Sequence, residues 1–216
     1  MRIRAAAAGS ILPSADSKET AMLDEPRLLA AHPWVTRRPI TVSEYHRMGE
    51  VGILGDRDRV ELIEGELVAM SPIGSYHHGT VNKLNHSLVQ AVGERAVVSV
   101  QGPVRLDEFS EPEPDIALLK PRPDFYQDGH AGPADVLLLI EVADTSLNYD
   151  HAVKRALYAR HAIQELWIVD LTAGEVEVCR KPEADGYAAT VRVGQDGELE
   201  PQLLPGVGIQ AAALFR

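Results

Sequence analysis

Residues 136–142 read Val-Leu-Leu-Leu-Ile-Glu-Val and place five consecutive apolar side chains before a single carboxylate. Successive side chains of a strand point to opposite faces, so a strand that is apolar on both faces is covered on both sides. The stretch therefore predicts a central strand of a sheet that is packed between two layers. A charge at the end of such a strand is costly unless it is paired or bound to a metal, which makes Glu141 a candidate site residue.

The segments around this strand predict a mixed α/β domain. Thr41 and Glu44 have the spacing of a capping box and begin a helix that ends near Gly49. Residues 75–92 carry an apolar stripe at helical spacing, which Gly93 closes. The remaining predicted elements are a hairpin of 60–63 and 66–70, strands at 96–106, 115–119 and 165–170, a helix from about 149 to 161, and a C-terminal hairpin of 175–180 and 187–193.

Composition excludes several classes of protein. The 216 residues include 21 Lys and Arg, 32 Asp and Glu, and one cysteine, Cys179, so a disulfide framework and a multi-cysteine zinc site are excluded. Residues 1–38 carry a net +2 and lack sustained periodicity, which predicts a flexible N-terminal extension before a single domain at 39–216. That domain carries −13, which argues against coating nucleic acid by bulk positive charge. With no apolar run near the roughly 20 residues of a membrane span, we expect a cytoplasmic protein.

Asp115 and Glu141 stand at the ends of predicted strands. Asp115 opens a strand directly after Pro114, and Glu141 ends the most apolar strand of the chain. Neighbouring strands would bring the two acids to one edge of the sheet, where carboxylate oxygens suit Mg²⁺. The alternatives are a turn residue after proline for Asp115 and a buried structural ion pair for Glu141, with Lys154 as a possible partner.

A lysine is wanted near such acids in a nuclease, to position or deprotonate the attacking water. Residue 143 points the same way as Glu141 but is alanine. The nearest candidate is Lys154 on the following helix, one turn before Tyr158 and on the same helix face. Its alternative is a lysine on the helix surface, whereas Tyr158 and Trp167 are expected to be core residues.

Glu61 is the third acid of interest, because it faces opposite to Val60 and Leu62 in the first hairpin strand. Its alternative is a cross-strand charge pair on an exposed face. His77 and His78 open the long helix and could reach the same cleft, although hydrogen bonding at the helix start is the more ordinary role for His78.

Six motifs in order resemble the Uma-two family of endonucleases, which have the PD-(D/E)XK restriction-endonuclease-like fold. They are Val60-Glu61-Leu62-Ile63-Glu64-Gly65-Glu66-Leu67, His78, Pro114-Asp115, Ile140-Glu141-Val142, Asp150-x-x-x-Lys154-x-x-x-Tyr158 and Glu165-Leu166-Trp167-Ile168-Val169-Asp170. Each is weak alone, but their order and spacing from about residue 40 to 215 are specific. Two departures are Asp144-Thr145, where the family has Ser-Pro, and Ala143, where the wider superfamily has lysine.

The resemblance implies a central four-stranded mixed sheet flanked by helices and a divalent metal, Mg²⁺ or Mn²⁺. It implies Asp115 and Glu141 as metal ligands, to which we add the backbone carbonyl of Val142. It further implies Lys154 as the displaced lysine and Glu61 as an additional acidic site residue.

The expected function is metal-dependent hydrolysis of phosphodiester bonds in nucleic acid, with DNA as the expected substrate and a homodimer as a plausible assembly. A nuclease-fold binding or regulatory module without catalysis is the first alternative. A metal-dependent hydrolase acting on another substrate is the second, because the basic residues of the domain are scattered and form no dense stripe.

Overall fold

A computed structural model describes residues 34, 36–55, 58–144 and 149–215, and the central strand predicted from residues 136–142 is present in it. From Pro39 onward these residues form one compact unit. The flexible extension expected over residues 1–38 lies almost wholly outside the described residues. None of the helices in the described part of the chain has the length and apolar character needed to span a membrane.

A six-stranded mixed sheet forms the centre of the domain, which confirms the predicted mixed α/β class. Only the two strands in the middle of this sheet pair in parallel, and all other neighbours in it are antiparallel. In spatial order the strands are β3 (Val97–Val100), β4 (Ile116–Leu119), β5 (Val136–Ala143), β6 (Glu165–Asp170), β7 (Glu175–Glu183) and β8 (Gly186–Gly194). The other strands are β1 (Val60–Ile63) with β2 (Glu66–Ala69), and β9 (Glu198–Leu199) with β10 (Ile209–Gln210).

The described residues form helices at the predicted places in the chain. They are α1 (Val42–Glu50), α2 (Ser75–Val92) and α3 (Arg155–Arg160), the last preceded by a π-helical turn, Asp150–Lys154. The capping box at Thr41 and Glu44 is present, and Gly93 ends α2 with a positive φ of 54°.

Two apolar layers cover the sheet. Ile140 and Trp167 pack on one face with Leu84 and Leu88 of α2. Leu139 packs on the other face with Leu157, Tyr158 and Ile168 in the layer that contains α3. All eight residues of β5 are buried, as expected of a strand covered on both sides.

The sheet differs from the expectation of four strands, because the C-terminal hairpin extends it. The whole length of β6 pairs with the first six residues of β7, from Glu165↔Arg180 to Asp170↔Glu175, and β8 then pairs with β7. The hairpin was therefore predicted correctly as an element but not as part of the central sheet.

Two element boundaries also differ from the sequence prediction. The strand expected over 96–106 ends at Val100, because Gln101 adopts a positive φ of 49° and Pro103 has no N–H to donate to a ladder. The helix expected from about 149 begins as a π turn in which the N–H of Arg155 bonds to the carbonyl of Asp150, five residues back. Such turns are rare and frequently occur at functional sites.

Candidate active site

Pairing between β4 and β5 brings the two predicted strand-end acids together. Ile116 lies opposite Ile140 in the antiparallel ladder, so the next position outward places Asp115 across from Glu141 on the same face. The two residues are 91 and 97% buried respectively, with 9 and 3% of their surfaces exposed. The start of one strand and the end of its neighbour thus form one acidic wall.

Asp115 is held by three donors. Its Oδ2 accepts from the N–H of Val142 at 2.9 Å and lies 3.0 Å from His77 Nε2, and its Oδ1 accepts from Gln101 Nε2 at 3.2 Å. Burial alone would raise the pKa of this carboxyl, but the contacts with His77, Val142 and Gln101 outweigh it and lower the pKa. Asp115 is therefore an ionised carboxylate that is fixed in orientation.

Lys154 lies between two of the predicted acids. Its Nζ is 3.1 Å from Glu141 Oε1 and 3.3 Å from Glu61 Oε2, and all three side chains are buried. Burial opposes the charged ammonium, yet the nearby carboxylates, Glu141 before Glu61, raise the pKa of Lys154 overall. The lysine is consequently a buried permanent cation and not a residue of the helix surface.

Glu141 is the acid whose protonation is most affected by its surroundings. Burial raises the pKa of its carboxyl to about 8, and the contact with Lys154 opposes this rise. The hydroxyl of Tyr158, one turn after Lys154, donates to Glu141 Oε1 at 2.6 Å. Tyr158 packs in the core as expected, but it also orients a site carboxylate, which its position on the Lys154 face of the helix could have indicated.

Glu61 is buried, with 2% of its surface exposed, and is not a cross-strand charge pair on an exposed face. Glu111 bridges to Leu62 and brings the following segment over β1, where the N–H of Glu113 donates to Glu61 Oε2 at 3.2 Å. The hydroxyl of Tyr149 donates to Glu61 Oε1 at 3.0 Å. Tyr149 was not singled out from the sequence, because nothing in its local pattern distinguishes it.

The two histidines at the start of α2 have different surroundings. His77 contacts Asp115, and its pKa is raised because that hydrogen bond and the charges of Asp115, Asp150 and Asp144 outweigh the opposing effect of burial. His78 is exposed. Trp167 belongs to the core on the opposite face of the sheet, as expected.

A cleft of about 700 Å³ opens onto these groups. Carboxylates dominate the charged side chains that line it. The acids are Glu61, Glu113, Asp115, Glu141, Asp144 and Asp150, and the cations are Arg59 and Lys154. An anionic substrate would therefore need an additional cation to enter.

The donor chemistry of this wall fits a divalent metal. Asp115, Glu141 and Val142 all line the cleft and offer two carboxylates and a backbone carbonyl. Hard oxygen donors of this kind suit Mg²⁺ and Mn²⁺. Among the described residues, one group of three His, Cys, Asp or Glu side chains has ligand atoms close enough together to hold a metal ion. It consists of His46, Glu111 and His130, and none of these residues lines the cleft.

Comparison with solved structures supports the same class of fold. The chain is similar to a crystal structure described as a putative nuclease belonging to DUF820 from Anabaena variabilis, with a TM-score of 0.63 and 16% sequence identity. The match covers 82% of this chain and 97% of the other. At that identity the likeness shows the fold alone, a nuclease-like α/β fold.

The family follows from the sequence match. The Uma2 family model, described as "Putative restriction endonuclease", matches residues 42–212, and the chain belongs to this family. A search of curated proteins found no match. Family and fold together support a nuclease.

Proposed function

We propose that this chain is a metal-dependent endonuclease that hydrolyses phosphodiester bonds of DNA. The observation that carries the proposal is the buried ion-paired set Glu61–Lys154–Glu141 beside Asp115 on the wall of a single cleft. Buried ionisable side chains are costly, and a domain that keeps four of them at the edge of a cleft is expected to use them. Family membership supports nucleic acid as the substrate class.

Asp115, Glu141 and the carbonyl of Val142 are the proposed ligands of Mg²⁺ or Mn²⁺. A bound divalent ion supplies Lewis acidity and binds the anionic substrate in an otherwise acidic cleft. The protein's own contribution is to fix the ligands: Val142, His77 and Gln101 hold Asp115, and Tyr158 holds Glu141.

Lys154 is proposed to stabilise negative charge that develops on the phosphate and to orient the attacking water. Its raised pKa keeps the ammonium protonated, which favours an electrostatic role over that of a general base. Glu61 is proposed to hold this ammonium in place, and its own carboxylate is fixed by Tyr149, which donates to Oε1, and by the N–H of Glu113, which donates to Oε2.

Nicking of supercoiled plasmid with Mg²⁺ or Mn²⁺ tests the proposal. Wild type is expected to convert the plasmid to open-circle and linear forms, whereas Asp115→Ala and Glu141→Ala are expected to lose the activity. Asp185→Ala, which removes an exposed acid of the C-terminal hairpin turn, is the matched control and should cleave like wild type. Equal cleavage by every variant would indicate a contaminant and overturn the proposal, and a parallel RNA substrate tests the assignment to DNA.

A binding or regulatory module with a nuclease fold is the second candidate. It is favoured by the contact of Lys154 with both glutamates, which offsets part of their charge without a metal, and by Ala143 at the position of the superfamily lysine. Calorimetric titration with Mg²⁺ and Mn²⁺ separates the two candidates: uptake that disappears in Asp115→Ala supports the enzyme, and absence of uptake by wild type supports the module.

Assembly and location complete the proposal. A homodimer would present two sites to the two strands of DNA, and light scattering on the eluting protein measures its mass directly. A cytoplasmic location is proposed from the sequence, and fractionation of the native host would test it.

A further inference from the structure

Three residues distant in sequence meet outside the cleft. His46 lies on α1, Glu111 bridges to Leu62 of β1, and His130 precedes Ala131, which bridges to Val104. One ligand atom from each of the three lies within 4.8 Å of the others. Two imidazoles and one carboxylate form a donor set unlike the oxygen-only set of the proposed nuclease centre.

The contacts within this group are already close. His46 Nε2 lies 2.6 Å from Glu111 Oε1, and the rings of His46 and His130 meet edge to face with centroids 5.6 Å apart. The His46 side chain is 41% exposed and His130 is exposed, whereas the Glu111 side chain is only 2% exposed. The carboxylate thus lies beneath two imidazoles that solvent can reach.

Glu111 supplies an independent sign of a missing partner. Its Oε2 is buried and has no hydrogen-bond partner within the part of the chain that the structure describes. A buried carboxylate oxygen without a partner is costly, and nearly all such atoms in native proteins are satisfied by protein, water or an ion. Neither neighbouring histidine needs to move far to share a cation with this carboxylate.

Backbone hydrogen bonds hold the three segments in place. The N–H of Val42 donates to the carbonyl of Glu108 at 2.8 Å, which anchors the start of α1 beside the segment that carries Glu111. The N–H of Glu111 donates to the carbonyl of Leu62 at 2.8 Å, and that of Arg105 donates to the carbonyl of Ala131 at 2.9 Å. The donor set is therefore preorganised by the fold.

We propose that His46, Glu111 and His130 form a Zn²⁺ site with a fourth position open to water. Nitrogen donors favour zinc over magnesium, and two histidines with one glutamate are a known zinc ligand combination. Zinc bonds of about 2.0–2.1 Å require ligand atoms roughly 3.3 Å apart in a tetrahedron, and the three ligand atoms here already lie within 4.8 Å of one another. The ion would lie where the contact between His46 Nε2 and Glu111 Oε1 now lies, with each imidazole bound in its neutral form.

The site is separate from the proposed nuclease centre, since none of its three residues lines the cleft. It would fasten α1 to the segment that carries Glu111, two residues before Glu113 and its hydrogen bond to Glu61. Because zinc would bind the folded chain and not the unfolded one, its binding is expected to raise the melting temperature.

Titration of the full-length chain, stripped with a chelator and free of any polyhistidine tag, with ZnCl₂ tests the site. One equivalent is expected to bind wild type and to bind more than about tenfold more weakly in His46→Ala and in His130→Ala. His86→Ala, which removes an exposed histidine that contacts Gln90, is the matched control and should bind like wild type. The double variant Asp115→Asn/Glu141→Gln separates this site from the cleft and should also retain the zinc.

Three outcomes would overturn the assignment: no zinc uptake by wild type, unchanged affinity in both His46→Ala and His130→Ala, or loss of zinc only in the double variant of the cleft. Both histidines are at the surface, so their alanine variants are expected to fold, and circular dichroism checks this. Plasmid nicking is not the readout, so failure of the nuclease proposal leaves this result interpretable.

Discussion

Two glutamates are buried in neighbouring strands of the sheet and differ in what surrounds them. Glu165 begins β6 with no exposed surface, and Trp167, Arg180 and the N–H of Gln202 donate to its two oxygens at 2.6–2.9 Å. Glu141, near the end of β5, accepts from Tyr158, pairs with Lys154 and lines the cleft, which Glu165 does not. Both glutamates are buried and ion-paired, and access to the cleft is the property that separates them.

The largest effect is expected from removing the cation that the cleft acids share. Lys154→Met leaves Glu61 and Glu141 buried without their ammonium and should lower the free energy of unfolding by about 3–5 kcal/mol. Urea denaturation at neutral pH measures this loss. Lys120→Met, at an exposed lysine, is the control and should change stability by less than about 0.5 kcal/mol. A similarly small loss in Lys154→Met would show that the carboxylates do not depend on the lysine.

A somewhat smaller loss of unfolding free energy is expected from removing Glu165. Glu165→Ala leaves Trp167 Nε1 without its acceptor and weakens the hold on Arg180, whose side chain is 36% exposed and can turn to water. The expected loss of unfolding free energy is about 2–3 kcal/mol.

Cleavage per folded molecule should be unchanged in Glu165→Ala, because Glu165 does not line the cleft. Glu183→Ala, an exposed glutamate at the end of β7, provides the reference for both measurements. Loss of cleavage in folded Glu165→Ala would remove the distinction between the two buried acids.

Glu141 should also make the stability of the fold depend on pH. Burial raises the pKa of Glu141 from 4.5 to about 8, so the folded state prefers the protonated form. The protonated Glu141 contributes its full stabilisation of the folded state below pH 4.5, and this contribution is lost as pH rises toward about 8. Wild type should therefore lose stability relative to Glu141→Gln across this window, by urea denaturation at each pH. A constant difference would contradict the raised pKa.

The smallest effect is expected from a single hydrogen bond at the edge of the site. Tyr149→Phe removes the hydroxyl that donates to Glu61 and leaves the contacts of Glu61 with Lys154 and Glu113 in place. The expected loss of unfolding free energy is about 1 kcal/mol, by thermal and urea denaturation. Tyr126→Phe, whose hydroxyl donates to an exposed backbone carbonyl, should lose less, and the reverse order would mean that Glu61 does not need this donor.

Local pattern in the sequence was enough to predict most elements of the fold. The capping box at Thr41, the hairpin turn at Glu64-Gly65, the stripe of α2 and the apolar run of β5 each depend on residues close together in the chain, and all are present. The strand that ends early at Val100 shows the limit of such patterns, since one positive φ at Gln101 ended it. How many strands join the sheet is likewise a matter of long-range pairing.

By itself, the sequence determined the class of fold and a short set of candidate acids with one lysine, because spacing and burial cost are readable from the chain. Only the tertiary structure decided their partners. The π turn places Lys154 between Glu61 and Glu141, whose positions are 80 residues apart, and the strand register sets Asp115 across from Glu141. The same is true of His46, Glu111 and His130, which have no shared local pattern. Contacts between residues far apart in sequence depend on the packing of whole elements, and no local rule encodes them.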